Sequence, residues 1–365
     1  MVRVTELKLL DRMLLLGPPG IGKTEIILSL ARREAERLGR VFLNLSSASE
    51  NDIEKAIGEP ERYYVFLRVV APTIFPDELT YPIKRDGFVD LLPFKKLFVL
   101  TLQEIRGVLF LDEITNVQTE PQIAMLFSLI QEKEFSWGLR LAPGIKVVAA
   151  GNTPEWSEIV RSLPKPLRAR LTIINVDPPT VEEWAEYMDK HYEGRWEKLV
   201  YAFLKMNPED FIRTPTDDWE NFPCPRNWTS LALLLYELRE TGADPEFVEE
   251  VVIGRLGKEV GVKFSSMLRE HVTPEEVEAL ARTPERFFAL STAKKILIVY
   301  ALSAAPIEAL LTRYDSLIKT IAQRDMELFV LFIRLMAKKK RIEYASKRQE
   351  LIASVADALK HLLAP

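Results

Sequence analysis

Residues 17–24 read Gly-Pro-Pro-Gly-Ile-Gly-Lys-Thr and match the spacing G-x-x-x-x-G-K-[ST]. The apolar run Met13–Leu16 precedes this loop and predicts a buried parallel strand. Apolar residues at helical spacing follow from Lys23 to Leu38 and predict a helix that Gly39 ends. A glycine-rich turn between a strand and a helix lets several backbone N–H groups face one anion. The segment therefore predicts a loop that binds the phosphates of a nucleoside triphosphate.

Each residue type in this loop suggests a contact. The lysine, Lys23, brings a full charge to the outer phosphates, and the hydroxyl of Thr24 is placed to bind Mg²⁺. The helix that begins there adds partial positive charge at its N-terminus. The residues that we expect to contact the nucleotide are Pro19, Gly20, Ile21, Gly22, Lys23, Thr24 and Glu25.

A second set of polar residues follows the apolar strand predicted over Val108–Leu111. Asp112 and Glu113 come directly after it, and the carboxyl ends of parallel strands face the ligand crevice. We expect Asp112 to hold the Mg²⁺ shell and Glu113 to polarise the attacking water. A protein that only switches on nucleotide binding would not need the second carboxylate, so Glu113 favours hydrolysis.

A further apolar strand, predicted over Ile145–Ala150, leads into Gly151 and Asn152. At this place Asn152 would lie beside the γ-phosphate and help to place the water. The alternative is that Asn152 merely caps a loop.

The strands alternate with helices, which is typical of a parallel sheet covered on both faces. Five strands are predicted, with Val41–Leu45 and Leu171–Val176 completing the set, and a helical stretch over Glu120–Gln131 lies between the third and fourth. After Asp177 the pattern becomes helical. We therefore predict an α/β P-loop NTPase core over residues 1–176, a helical lid over 177–241 and a helical C-terminal region over 242–365.

Composition narrows the class of protein. The 365 residues carry a formal net charge of -4, which gives no general attraction to nucleic acid or membrane. The single cysteine, Cys224, excludes an internal disulfide and a cysteine-rich metal site. No apolar run is long enough for a membrane span or a signal peptide, so a cytoplasmic protein is expected.

Five segments, in this order, resemble an AAA+ ATPase of the MoxR-like family. They are GPPGIGKTE, VLFLDEI, VVAAGN, PLRARL and CPRNW. The stretch Glu134–Gly144 is similar to the short hairpin that this branch carries before its sensor strand. The resemblance is specific over Met13–Leu238.

The resemblance implies roles for several residues and for the assembly. Asn152 would be the first sensor, Arg170 an arginine finger that reaches a neighbouring subunit's γ-phosphate, and Arg226 the second sensor on the lid. Arg168 competes with Arg170 for the finger role. The family also implies ATP with Mg²⁺, a homo-oligomeric ring that is expected to be a hexamer, a protein client, and a separate partner with a von Willebrand factor A domain.

Three features have two interpretations each. Residues 71–107 form either a segment that lines the pore of a ring or an ordered surface insertion. The basic segment 337–348 favours a solvated helix face over a contact with nucleic acid or a partner. Asn44 is a candidate polar switch that would contact Glu113.

The leading functional hypothesis is an ATPase that remodels or matures a protein client. A nucleic-acid motor or loader is the first alternative, and the acidic net charge argues against it. The second is a scaffold that assembles on nucleotide binding without turnover, which the presence of Glu113 disfavours.

Overall fold

The computed structural model describes residues 7–136, 138–156, 163–214 and 219–353. The chain divides into two compact units, Met1–Pro178 and Pro179–Pro365. Each unit has its own hydrophobic core and is described by itself.

The first unit is built on a six-stranded parallel sheet. The described strands of the whole unit, including those of two separate hairpins, are β1 (Met13–Leu16), β2 (Val41–Asn44), β3 (Tyr63–Val70), β4 (Thr80–Arg85), β5 (Phe88–Pro93), β6 (Arg106–Asp112), β7 (Glu134–Ser136), β8 (Leu139–Arg140), β9 (Ile145–Gly151) and β10 (Thr172–Asn175). The sheet has the order β10-β1-β9-β6-β3-β2, and every pairing in it is parallel.

Helices cover the sheet. The described helices of this unit are α1 (Lys23–Arg37), α2 (Glu50–Gly58), α3 (Lys95–Val99), α4 (Glu120–Glu132) and α5 (Lys165–Arg168). The central strand β6 is buried from Gly107 to Asp112, which requires cover on both faces because successive side chains point to opposite sides. The predicted fold class, a parallel sheet flanked by helices and followed by a helical region, is confirmed.

The prediction of five strands was incomplete. In the six-stranded sheet, the strand that was not predicted is β3. It lies between β2 and β6 and pairs with β6 from Tyr64↔Arg106 to Val70↔Asp112. Its sequence, YYVFLRVV, is rich in aromatic and β-branched residues, as strands are. Arg68 interrupts the apolar run, and its partner lies at the end of the neighbouring strand rather than nearby in sequence.

Residues 71–107 contain an antiparallel hairpin made of β4 and β5. Asp86 and Gly87 form its two-residue turn with positive φ values of 48° and 88°, as a type I′ turn requires. Tyr81, Phe88 and Val89 on this hairpin are 66%, 76% and 71% exposed. A second short hairpin pairs β7 with β8, at the place where the sequence resembles the hairpin before a sensor strand.

The described part of the second unit has helices and short 3₁₀ turns around one core. The helices are α6 (Val181–Tyr192), α7 (Leu199–Met206), α8 (Pro225–Thr241), α9 (Pro245–Leu256), α10 (Lys258–Arg269), α11 (Pro274–Arg282), α12 (Thr292–Ala304), α13 (Ile307–Leu311), α14 (Asp315–Arg324), α15 (Met326–Leu335), α16 (Lys338–Lys347) and α17 (Gln349–Ala353). Phe203, Trp228 and Phe264 pack together at its centre, with ring centroids 4.9–5.9 Å apart. The predicted boundary after residue 241 stays a prediction.

The basic segment 337–348 is only partly solvated. It contains the whole of α16, where Arg341 is 5% exposed and donates hydrogen bonds to the carbonyls of Arg334 and Met336. Lys340 donates to the carbonyl of Ser303 in the same way. Arg348 donates to the carbonyl of Leu311, so three of its cations bind backbone carbonyls within the unit. In the part of the chain that the structure describes, none of the helices combines the length and apolar character that crossing a bilayer requires.

Because β3 and β6 approach closely at Gly107, a substitution there tests the pairing of these two strands. A Cβ atom at Gly107 would lie 2.0 Å from the carbonyl oxygen of Val65, so Gly107→Ala must push the two strands apart. We expect this change to lower the free energy of unfolding by about 1–3 kcal/mol, the usual cost of overpacking. Denaturant titration followed by circular dichroism measures it.

Gly58→Ala is the matched control, because a Cβ atom there meets nothing within 4 Å. It should leave the midpoint of unfolding nearly unchanged. Equal midpoints for the two variants would contradict the pairing of β3 with β6.

Candidate nucleotide site

The loop of residues 17–24 connects the end of β1 to the start of α1. Gly20 and Gly22 have φ values of 73° and 90°, in the left-handed region that favours glycine. A Cβ atom at Gly17 would lie 2.6 Å from the carbonyl oxygen of Val176, so the loop can pass beside β10 only with glycine there. No side chain caps the described first turn of α1, which leaves its N–H groups available to an anion.

Lys23 joins this loop to the end of β9. Its Nζ donates hydrogen bonds to the carbonyl oxygens of Gly17 and Pro18, at 2.9 and 2.8 Å, and to Oδ1 of Asn152 at 2.8 Å. The residue is 9% exposed. Because an unpaired buried charge is costly, these oxygens fix where the ammonium group lies.

Thr24 joins the loop to the end of β6. Its Oγ1 donates to Oδ2 of Asp112 at 3.0 Å, and the backbone N–H of Glu113 donates to Oδ1 of the same carboxylate at 3.0 Å. Hydroxyl and carboxylate oxygens are the ligands that Mg²⁺ prefers. The pair therefore fits the predicted magnesium site, and Thr24 and Asp112 are the residues that would hold the ion.

Glu113 has an unusual backbone and an exposed side chain. Its φ of 57° lies in the left-handed region, where a residue other than glycine costs of order 1–3 kcal/mol. Strain of this kind concentrates at functional sites. Oε2 accepts a hydrogen bond from Nδ2 of Asn116 at 3.4 Å, which leaves the carboxylate at the surface beside Asp112.

Asn44 was a candidate partner for Glu113. In the described residues its Oδ1 instead accepts a hydrogen bond from the N–H of Ser46 at 3.1 Å. The structure therefore shows no hydrogen bond between the Asn44 and Glu113 side chains, and the switch hypothesis gains no support.

Asn152 is held by its backbone as well as by Lys23. Its N–H donates to Oγ1 of Thr115 at 3.0 Å. A Cβ atom at the preceding residue, Gly151, would lie 2.5 Å from Cγ2 of Thr115, so the two chain segments can meet only with glycine there. Thr115 is a positioning residue that the sequence analysis did not single out, since its partner lies on another strand.

Arg170 lies against α4. Its Nε donates to Oε1 of Gln131, its guanidinium donates to the carbonyl of Pro166 at 2.5 Å, and Cζ lies 5.2 Å from the centre of the Phe127 ring. Arg168, the competing candidate, is exposed. The first unit thus holds Arg170 by three contacts at the end of α5.

Arg226 belongs to the second unit, where its exposed side chain lies in the first turn of α8. Positive charge in this turn is opposed by the helix dipole. The turn is therefore suited to an anionic partner. Its assignment as second sensor stays a prediction.

The structure brings Lys23, Thr24, Asp112, Glu113 and Asn152 to one edge of the first unit, where the carboxyl ends of β1, β6 and β9 meet. It adds Arg68 of β3, whose Nε and Nη2 lie 2.8 and 2.7 Å from Oδ2 of Asp112. A parallel sheet with a phosphate loop after its first strand and an Asp-Glu pair after a neighbouring strand defines a P-loop nucleotide-binding site.

Comparison with known families agrees with this class. Residues 12–171 match the family described as "AAA domain (dynein-related subfamily)". The match covers less than half of the chain and includes the whole loop, β6 and β9. This part of the chain is therefore similar to an AAA domain, and the similarity supports the predicted AAA+ class and nucleotide binding. The MoxR-like assignment stays a prediction.

Other similarities are more distant. Lon protease 1 of Bacillus subtilis is 28% identical over 188 residues, which are 48% of this chain and 20% of that protein. The chain therefore spans about a fifth of the length of this curated relative.

Two solved structures are also similar. Cdc6p from Pyrobaculum aerophilum is 15% identical with a TM-score of 0.37, over 96% of this chain and 79% of that chain. The RuvB Holliday junction branch migration motor from Thermotoga maritima is 17% identical with a TM-score of 0.31, over 86% and 80%. Likeness at TM-scores this low carries no argument about function.

The contacts of Lys23 predict the effect of removing it. Lys23→Ala should weaken ATP binding by about 10- to 100-fold, because a charged hydrogen bond contributes ~1.5–3 kcal/mol. Equilibrium titration with a fluorescent ATP analogue measures this. Lys55→Ala, at an exposed position on α2, is the matched control and should bind normally. Unchanged binding by Lys23→Ala would contradict the placement of the phosphates.

Proposed function

We propose that the protein is a Mg²⁺-dependent ATPase of the MoxR type, which works as a homo-oligomeric ring on a protein client. The observation that carries the proposal is the pair of contacts Lys23–Asn152 and Thr24–Asp112, with Glu113 beside them. They join the phosphate loop to two strand ends, so that groups for binding, for the metal and for the water lie within one site.

Each of these residues has a separate role in the proposed hydrolysis of ATP. Lys23, now bonded to loop carbonyls, moves its hydrogen bonds to phosphate oxygens when the nucleotide binds. Thr24 and Asp112 would hold Mg²⁺, which would supply positive charge to the phosphate oxygens. Glu113 accepts the hydrogen bond of the attacking water and takes its proton as the water oxygen bonds to the γ-phosphorus. The bond from the γ-phosphorus to the β–γ bridging oxygen breaks in the same step, so that ADP and phosphate are released. Asn152, fixed by Thr115, orients that water.

Arginines would complete the site from outside the loop. In the proposal Arg170 reaches the γ-phosphate of a neighbouring subunit, and Arg226 approaches the nucleotide from the second unit. A planar, permanently charged guanidinium suits the charge that develops on the γ-oxygens. The support for Arg170 is its fixed position against Phe127 and Gln131 rather than free in solvent.

The protein client is proposed from the surface of the β4–β5 hairpin. Tyr81, Phe88 and Val89 are each more than half exposed, and Lys84 and Arg85 are exposed beside them. Tyr81 and Phe88 lie on one face of the two-stranded hairpin and Val89 lies on the other, and exposed apolar surface can mark a site of protein interaction. We assign this hairpin to client contact in the ring. A separate chain with a von Willebrand factor A domain remains the proposed partner.

Glu113→Gln separates hydrolysis from binding. The amide cannot accept the proton, so turnover should fall by about 10²- to 10⁴-fold, the usual contribution of a general base. ATP affinity should stay within about twofold, because Glu113 contacts water rather than phosphate in this proposal. Steady-state phosphate release and nucleotide titration measure the two quantities.

Glu36→Gln, at an exposed carboxylate on α1, is the control for surface charge and should keep full turnover. Normal hydrolysis by Glu113→Gln would exclude the assigned base. Tight ATP binding without turnover by the wild-type protein would instead support an assembly scaffold.

Arg170→Ala tests whether the site is shared between subunits. Alone it should bind ATP and lose turnover by on the order of 10²-fold or more, since such fingers contribute about 10³–10⁵ in rate. Mixed with Lys23→Ala, it should regain part of the activity, because a Lys23→Ala subunit still offers its arginine to a neighbour's intact loop.

Arg168→Ala is the matched variant on the same segment and should retain turnover. Mixed assemblies that show no rescue would count against a finger acting in trans. Loss of turnover in Arg168→Ala, with Arg170→Ala active, would transfer the role to Arg168.

A further inference from the structure

The carboxylate of Asp112 has a cationic partner in addition to Thr24. Arg68, on β3, places Nε 2.8 Å and Nη2 2.7 Å from Oδ2 of Asp112. The acidic side chain is 9% exposed and the arginine side chain 43% exposed. The guanidinium thus reaches from the surface onto the oxygen that also accepts the hydrogen bond of Thr24.

The hydrogen-bonding capacity of this oxygen is already used. A carboxylate oxygen offers about two lone-pair positions. Oδ2 of Asp112 accepts hydrogen bonds from Thr24 Oγ1 and from Nε of Arg68, and Nη2 of Arg68 lies 2.7 Å from it, while Oδ1 accepts from the N–H of Glu113. A divalent cation, or a water bound to one, can use Oδ2 only if a donor leaves. Like charge makes the arginine the donor that leaves.

The arginine is free to leave without disturbing the fold. Its backbone is held by the pairing of β3 with β6 and by a hydrogen bond from its N–H to Oγ of Ser46 at 3.2 Å. Within the described chain, the only hydrogen bond and ion pair of its side chain are those with Asp112. The guanidinium can therefore swing into solvent while the strand stays in place.

We propose that Arg68 is a built-in competitor of the divalent cation: it neutralises Asp112 while the site has no nucleotide, and it gives up this carboxylate when Mg²⁺ enters. This inference rests on the proposed function, since it concerns the metal of the same site. While the ion pair is formed, it opposes the binding of Mg²⁺ without nucleotide at Asp112. When a triphosphate is present, its negative charge favours Mg²⁺ over Arg68 at this carboxylate. Arg68 thereby selects the metal–nucleotide complex over the bare metal.

The competition has a direct readout that needs no turnover. Mn²⁺, which replaces Mg²⁺ at oxygen sites and is detected by electron paramagnetic resonance, is added to the nucleotide-free protein. Arg68→Gln should bind Mn²⁺ at least about fivefold more tightly than wild type, the scale expected for losing one partly exposed ion pair. Arg68→Gln combined with Asp112→Asn should lose this gain, which assigns the metal to that carboxylate.

A second titration follows nucleotide binding. At a fixed concentration of a fluorescent ATP analogue, the free Mg²⁺ that gives half of the metal-dependent binding should fall about fivefold in Arg68→Gln. Arg68→Lys keeps the charge and should lie nearer to wild type. Arg62→Gln, which removes an exposed arginine paired with Glu59, is the matched control and should not shift.

The outcomes separate this inference from the proposed function. An unchanged Mg²⁺ requirement in folded Arg68→Gln would overturn the competition. A higher requirement would also overturn it, since it would mean that Arg68 positions Asp112 for the metal. If wild type binds no nucleotide at any Mg²⁺ concentration, the proposed function itself fails. If wild type binds and hydrolyses ATP while Arg68→Gln shows no shift, only the role of Arg68 is wrong.

Discussion

The buried ammonium group of Lys23 is the interaction on which the site depends. A charge that is 9% exposed needs polar partners, and Lys23 donates to oxygens of Gly17, Pro18 and Asn152. Two belong to the loop after β1, and the third follows β9, the strand paired with β1. Lys23 therefore joins the loop after β1 to the end of β9. The same hydrogen bond holds Asn152 beside the predicted phosphate loop.

The charged side chains at this edge of the sheet have hydrogen-bonding partners within the protein. Lys23 is bonded to neutral oxygens, while the negative charge of Asp112 is matched by Arg68. A site arranged in this way costs less to hold folded than one with bare charges of one sign. In the proposed function, binding a metal–nucleotide complex would exchange these internal partners for ligand atoms. Glu113, whose backbone is in the left-handed region, directly follows β6.

Local patterns account for the part of the site that the sequence predicted. Gly22, Lys23 and Thr24 belong to one loop with its own spacing, and Asp112 and Glu113 follow one apolar run, so each could be recognised within a few residues. The parallel sheet led us to expect Asp112 and Glu113 at the ligand crevice, and the structure shows a hydrogen bond between Thr24 and Asp112 there.

The residues that were missed act across strands. Arg68 matters only because β3 pairs with β6, and Thr115 only because Gly151 lets two segments meet. No spacing in the sequence records such pairings, since they are set by the packing of the whole sheet. The β4–β5 hairpin is different, because Asp86-Gly87 between two strand-like runs is a local signal that predicts a type I′ turn. The fold class was predicted from alternation, whereas the number of strands needed the structure.

The most direct test of the account is phosphate release from ATP by the wild-type chain, measured against protein concentration with and without Mg²⁺. An active site completed by a neighbour predicts release that requires Mg²⁺ and rises more steeply than in proportion to protein concentration until assembly is complete. Release that is absent in Mg²⁺, or equal without it, would contradict the assignment of the site. Release strictly proportional to protein from the lowest concentration, in a chain shown to be monomeric there, would contradict completion of the site by a second subunit.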